Sequence, residues 1–184
     1  EHTGFVRREA FRGYEVEPIL YRTEIVQIME ARLMLDPQMA AKAAQHTTPE
    51  FLGELAETIE TMEQAGQTAD GEGLRQCWMA DEAFHSLISR QAGNPFIDRA
   101  YQAVGGQLQR FRLIGEAGLS HAERAARDHR VVYEALERGD AEAAAAAMRA
   151  HIEGALDRTL EDEAAATGAD QTNDEVSSGR GAER

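Results

Sequence analysis

Between Pro18 and Ala166, apolar residues recur at intervals of three and four, the repeat of a helix that buries one face. No segment there alternates with the two-residue period of a strand, and β-branched runs are absent. A first helix is predicted over about 17–35, carrying Ile19, Ile25, Ile28, Met29 and Leu33. Asp36-Pro37 reads as its end and as the N-cap and first residue of a short second helix reaching His46. Thr48 and Pro49 start a third, with Phe51, Leu52, Leu55, Ile59 and Met62 inside and Gly66 at its close.

After the loop QTADGEG, a fourth helix is predicted over 72–91, with Leu74, Trp78, Phe84, Leu87 and Ile88 inward. Asn94 caps a fifth helix bearing Phe96, Ile97, Tyr101, Val104, Leu108, Phe111 and Ile114, which Gly105-Gly106 weaken in the middle. The sixth spans about 120–138 and the seventh 141–163, divided by Gly139-Asp140: glycine closes one helix and aspartate caps the next. The fold class expected is therefore all-α, an antiparallel bundle of six to seven helices with short loops.

At 184 residues the chain is long enough for one domain with a sizeable core. No apolar run approaches the roughly 18 residues of a membrane span, so no membrane partner is expected. The single cysteine, Cys77, excludes an intrachain disulfide framework and fits a reducing, cytoplasmic setting. A net charge of −14 is a poor footprint for nucleic acid, whose phosphates need Lys and Arg. The ends differ in character. Residues 1–17 lack a helical period, and residues 164–184 hold one aliphatic side chain larger than alanine, Val176, so a disordered tail is expected.

Four polar residues stand out by their spacing, and two of them, His129 and His151, border an apolar stripe. Asp81 and His85 are four apart, hence on one face of the fourth helix. His129 and His151 each lie eleven residues from Asp140. In an antiparallel hairpin, equal steps from the turn give equal heights, so the two rings can face each other. If the fourth helix packs on this hairpin, three imidazoles and one carboxylate converge, a donor set suited to Zn²⁺, Ni²⁺, Co²⁺ or Mn²⁺ with coordination positions left open. The plainer alternatives are hydrogen-bonded core histidines and an Asp81 paired with Arg75 or Arg90. His2, His46 and His121 fall in loops or at helix ends and read as surface residues.

Three segments, in order along the chain, resemble one family. DEAFHSLISRQAGNP is similar to the D-x-x-F-H-x-x-L…A-G-N-P signature of the FCD domain, the C-terminal effector-binding domain of GntR transcription regulators of the FadR subfamily. EARLMLDPQMAAKAA is similar to that family's E-x-R-x-x-L-E-P helix, with Asp36 where Glu is usual. DHRVVYEALERGDAEAAAAAMRAHI resembles its last two helices, with Asp128 in place of the usual Glu. The resemblance implies a metal held by Asp81, His85, His129 and His151, and an effector carboxylate gripped by Arg32, with Arg110 and Arg112 as second candidates. Without it, Arg32 reads as a surface partner of Glu30 or Asp36.

The resemblance further implies a sensing and dimerisation domain over 18–163 that binds a small organic acid, forms a homodimer, and reaches operator DNA only through an N-terminal winged helix. His2-Thr3-Gly4-Phe5-Val6 resembles the last hairpin of such a domain, so residues 1–17 are expected to be a remnant of its wing and linker. The competing function, a metal-dependent enzyme using activated water, lacks a convincing general base, since Glu82 should point away from Asp81 and His85, and it lacks the paired Glu-x-x-His motifs of di-iron bundles.

Overall fold

The computed structural model describes residues 6–9, 13–16, 22–67, 71–114 and 122–178, with side chains for 23–67, 71–108 and 123–161. A two-stranded antiparallel hairpin, β1 (Val6–Glu9) and β2 (Gly13–Val16), pairs Val6 with Val16 and Glu9 with Gly13. Six helices follow: α1 (Arg22–Ala44), α2 (Pro49–Gly66), α3 (Gly71–Gln91), α4 (Pro95–Ile114), α5 (Ala122–Glu137) and α6 (Ala141–Ser178). The bundle is all-α, as the hydrophobic repeat requires.

The helix ends follow local chemistry. Thr48 Oγ1 accepts from the Phe51 N–H at 3.2 Å, and Pro49 takes the first helical position of α2. Asn94 Oδ1 accepts from Phe96 N–H at 3.0 Å at the start of α4. Between α5 and α6, Gly139 adopts φ 66°, and Asp140 N–H returns to the Ala135 carbonyl at 3.0 Å. The Asp140 side chain then caps α6 by accepting from Ala143 N–H at 3.0 Å.

Two expected boundaries move. The first and second predicted helices are one, because α1 runs through Pro37. Proline lacks the N–H that the Leu33 carbonyl would have accepted, but Pro37 and Met39 are buried and hold the segment in line. Asp36 accordingly is no N-cap; its side chain turns into the core. At the other end α6 continues to Ser178, where a disordered tail was expected from residue 164. A helix already nucleated gains a hydrogen bond for each residue added, and Ala164, Ala165 and Ala166 are the strongest helix formers.

Helix α1 packs on α6, α4 and α3; α2 packs on α3 and α5; α5 pairs with α6. The core includes Ile25, Met29, Met39, Leu55, Ile59, Met62, Phe84, Ile88, Leu136, Met148 and Ile152, all buried. Each such side chain contributes roughly 1.5–3 kcal/mol by leaving water. On α3 the buried stripe is Cys77, Ala80, Asp81, Phe84, His85 and Ile88, while Leu74, Trp78 and Leu87 are only partly covered. The inward face is thus rotated toward the polar pair. Gly105 leaves α4 unbroken and has a packing reason: a Cβ there would stand 2.9 Å from Glu82 Oε1 on α3.

Candidate metal centre

Asp81, His85, His129 and His151 are buried together, and one donor atom from each lies within 4.8 Å of all the others. Helix α3 supplies Asp81 and His85 one turn apart, α5 supplies His129, and α6 supplies His151. The hairpin argument holds: His129 Nε2 and His151 Nε2 are 3.1 Å apart. His85 Nε2 stands 3.2 Å from His151 Nε2, and Asp81 Oδ1 3.4 Å from His129 Nε2. Phe84 stacks on His129 with ring centroids 4.1 Å apart and planes 6° from parallel, which fixes that imidazole. Arg75 pairs instead with Glu72, and Arg90 is exposed, so neither provides the surface partner considered for Asp81.

Arg32 is not the surface residue that periodicity alone allowed; it is 2% exposed. It does pair with Asp36, through Nε at 2.9 Å and Nη2 at 2.8 Å to the same oxygen, Oδ2. Arg32 Nη2 still lacks an aligned hydrogen-bond acceptor. Burial weakens the Arg32 cation, but Asp36, then Tyr101 and Asp81, more than restore it and raise its pKa above the usual arginine value. Arg110 and Arg112 belong to α4, but their side chains lie outside the described residues, as do those of His2 and His121. His46 is exposed, as expected.

Sequence reasoning missed a ring of groups behind the cluster. Asp36 Oδ2 approaches His85 Nδ1 at 3.4 Å, so one oxygen faces both Arg32 and His85. Asp128 Oδ2 lies 3.6 Å from His151 Nδ1 and 3.5 Å from Arg158 Nη1 and Nη2. Arg158 is buried, and a Cβ at Gly154 would come within 3.2 Å of its Nη1. Tyr101 is buried beside His85 and donates its hydroxyl to Glu82 Oε1 at 3.3 Å. Ser86, one turn on along α3, also donates to that oxygen, at 3.2 Å, while Tyr101 ties it to α4. The available signals were the four-residue step from Arg32 to Asp36 and the adjacency of Asp128 to His129.

Burial, reinforced by Arg32, holds the His85 pKa well below the imidazole range, so this ring is neutral and able to ligate. Burial also raises Asp36 above its usual range against the pull of Arg32. For Asp128 burial works upward, but His151 and Arg158 overcome it and lower the carboxyl. Burial pushes the Tyr101 hydroxyl well up, leaving it a neutral donor.

The FCD domain matches residues 27–154, most of the helical bundle. This chain belongs to the FCD domain family. Solved structures agree in fold. The FCD chain is similar to Streptococcus agalactiae GntR (21% identity, TM-score 0.61, covering 84% of this chain and 75% of that one). It is similar to E. coli McbR/YncC (17%, TM-score 0.69, covering 87% and 79%). It also resembles the metal-free FCD domain of TM0439 (20%, TM-score 0.60, covering 80% and 99%). No curated protein matches it. The match covers the family that the three sequence segments resemble, and the solved structures show the same helical fold.

Proposed function

We propose that this FCD domain senses a small organic acid through a divalent transition metal held by Asp81, His85, His129 and His151. The observation that carries the reading is the convergence of three imidazole nitrogens and a carboxylate at one buried point. Metal–donor bonds of about 2.0–2.2 Å place neighbouring donors roughly 2.8–3.6 Å apart for tetrahedral or octahedral angles, and three of the donor pairs here span 3.1–3.4 Å. Nitrogen-rich, sulfur-free donors suit Zn²⁺, Ni²⁺, Co²⁺ or Mn²⁺. Such an ion supplies a Lewis-acid position for an oxygen of an anion.

Arg32 supplies the second handle. Its guanidinium reaches toward the cluster through Asp36, and a carboxylate could take two parallel hydrogen bonds from it, which lysine cannot copy. Arg110 and Arg112 stand as the reserve candidates. The test is calorimetric titration of a panel of hydroxy- and dicarboxylic acids into metal-loaded protein, then of the best binder into Arg32→Lys. The variant is expected to keep metal and fold and to lose about 1.5–3 kcal/mol of effector binding, roughly ten- to a hundred-fold in affinity. Equal affinities would move the role to Arg110 or Arg112.

Within the whole regulator, the domain is expected to form a homodimer and to change operator affinity by reorienting winged-helix domains on its N-terminal side, in the cytoplasm. Only an effector that binds two arrangements unequally can do so. The hairpin of β1 and β2 supports reading residues 1–17 as the end of such a wing. Among the described residues, no helix is long and apolar enough to cross a membrane.

A further inference from the structure

We propose that Asp36 and Asp128 are positioning residues: each fixes one imidazole, His85 and His151 respectively, in the tautomer that aims its Nε2 lone pair at the centre of the cluster. The inference rests on the metal reading only for its purpose; the geometry stands without it.

A neutral imidazole has one N–H and one lone pair, and the group facing each nitrogen decides which goes where. Nδ1 of His85 faces Asp36 Oδ2 at 3.4 Å, and Nδ1 of His151 faces Asp128 Oδ2 at 3.6 Å. Both contacts are slightly longer than a hydrogen bond, and neither Nδ1 has another hydrogen-bond acceptor. A lone pair turned toward a carboxylate in a buried site repels it; an N–H attracts it. Both rings therefore carry the proton on Nδ1. Their Nε2 lone pairs then face the centre of the cluster, 3.2 Å apart and with His129 Nε2 3.1 Å from that of His151, where a cation would take them up.

The alternative tautomers would let His151 and His85 share an Nε2 proton, but would leave two bare nitrogens against two carboxylates. The carboxylates are themselves anchored. Asp36 is held by Arg32 from the preceding turn of α1, and Asp128 by Arg158 from α6. Each is thus fixed by an arginine on one side and aimed at an imidazole on the other. Asp36 has a further consequence: the oxygen that orients His85 is the one that occupies Arg32. An anion drawing Arg32 away would leave that oxygen wholly to His85.

The experiment is long-range proton–nitrogen correlation NMR on the full chain, labelled with ¹⁵N-histidine and freed of metal. It is paired with zinc affinity measured by competition against a chromophoric chelator. His85 and His151 are expected to show protonated Nδ1 and bare Nε2. In Asp36→Asn the amide can donate to His85 Nδ1, so His85 should switch to the Nε2–H form. Asp128→Asn should do the same to His151. Each variant should lose ten- to a hundred-fold in zinc affinity, the usual effect of removing a partner behind a ligating histidine. Asp36→Glu, which keeps the carboxylate, should keep the Nδ1–H form. Asp128 is partly exposed, so Asp128→Asn is the milder of the two variants and carries the test if Asp36→Asn proves unstable. Nε2–H signals in the wild type, or unchanged tautomers and zinc affinity in the Asn variants, would overturn the proposal. Wild type that shows the expected tautomers yet binds no zinc would support the positioning roles and refute the metal reading.

Discussion

The neutral burial of His85 makes the metal-free domain sensitive to mild acid, and the size of that effect can be worked out. Unfolded, an imidazole takes up a proton near pH 6.5; in the core, burial and the neighbouring Arg32 keep the His85 pKa well below that. As pH falls below about 6.5 the unfolded chain binds a proton that the folded chain refuses, so stability drops. It keeps dropping, by about 1.4 kcal/mol per pH unit, until the folded-state pKa is reached. Between pH 7.5 and 5.5 the His85 contribution amounts to a loss of about 1.4 kcal/mol, or roughly 3–6 °C in Tm for a chain of this size. Asp36, whose pKa burial raises, acts in the opposite sense and gains protons on folding as pH falls, so a single curve would mix the two. The comparison of wild type with His85→Asn, both in excess chelator, cancels what they share. Urea unfolding at a series of pH values is the assay. Over that interval the variant should lose about 1.4 kcal/mol less than the wild type, an average slope difference of about half a proton. Parallel curves would refute the assignment of a buried neutral imidazole at this position.

His129→Ala or His151→Ala should lower divalent-metal affinity by an order of magnitude or more, since each removes a donor; wild-type metal content after dialysis in both would end the four-residue assignment. Metal affinity of the wild type should itself fall as pH drops through the histidine range, because ligation needs the neutral ring. This chain by itself should not bind a specific operator duplex at physiological salt, given its net charge of −14; a sequence-dependent gel shift with the purified chain would contradict that.

The site was legible where spacing alone sets geometry. Four residues on one helix bring Asp81 and His85 to one face, and equal distances from Gly139-Asp140 bring His129 opposite His151; both follow from helix rise and twist without any knowledge of packing. What spacing does not contain is which way a whole helix is rolled. Trp78 and Leu87 read as inward by hydrophobicity, but the bundle gives the inner face of α3 to Asp81 and His85, and the larger apolar side chains flank it. Asp36 was misread for a related reason. Asp-Pro is a strong local start signal, and the competing interaction, a buried arginine one turn earlier, outweighs it only once α6 and α3 close over α1. Asp128 reads in the sequence only as a substitute for the family's usual Glu, because its role depends on α6 coming alongside to bring His151 and Arg158 to it.

The distribution of these groups over the helices bears on how such a domain could respond to a ligand. Helix α1 contributes Arg32 and Asp36, α3 contributes Asp81 and His85, α5 contributes Asp128 and His129, and α6 contributes His151 and Arg158. Burying this many polar and ionisable groups costs stability relative to an apolar core of the same volume, and removing one partner of a buried pair costs more still. The cost falls where residues of four helices meet, so directed polar contacts there add to the packing of apolar neighbours such as Phe84. A ligand that binds the folded arrangement adds stability in proportion to the logarithm of its concentration over Kd, and here that gain acts on four helices at once. An anion competing with Asp36 for Arg32 would change a contact within α1 and, through the same oxygen, the hold on His85 of α3. Under the proposed function, coupling between effector and metal would need no long chain of intermediates, because one Asp36 oxygen contacts both Arg32 and His85.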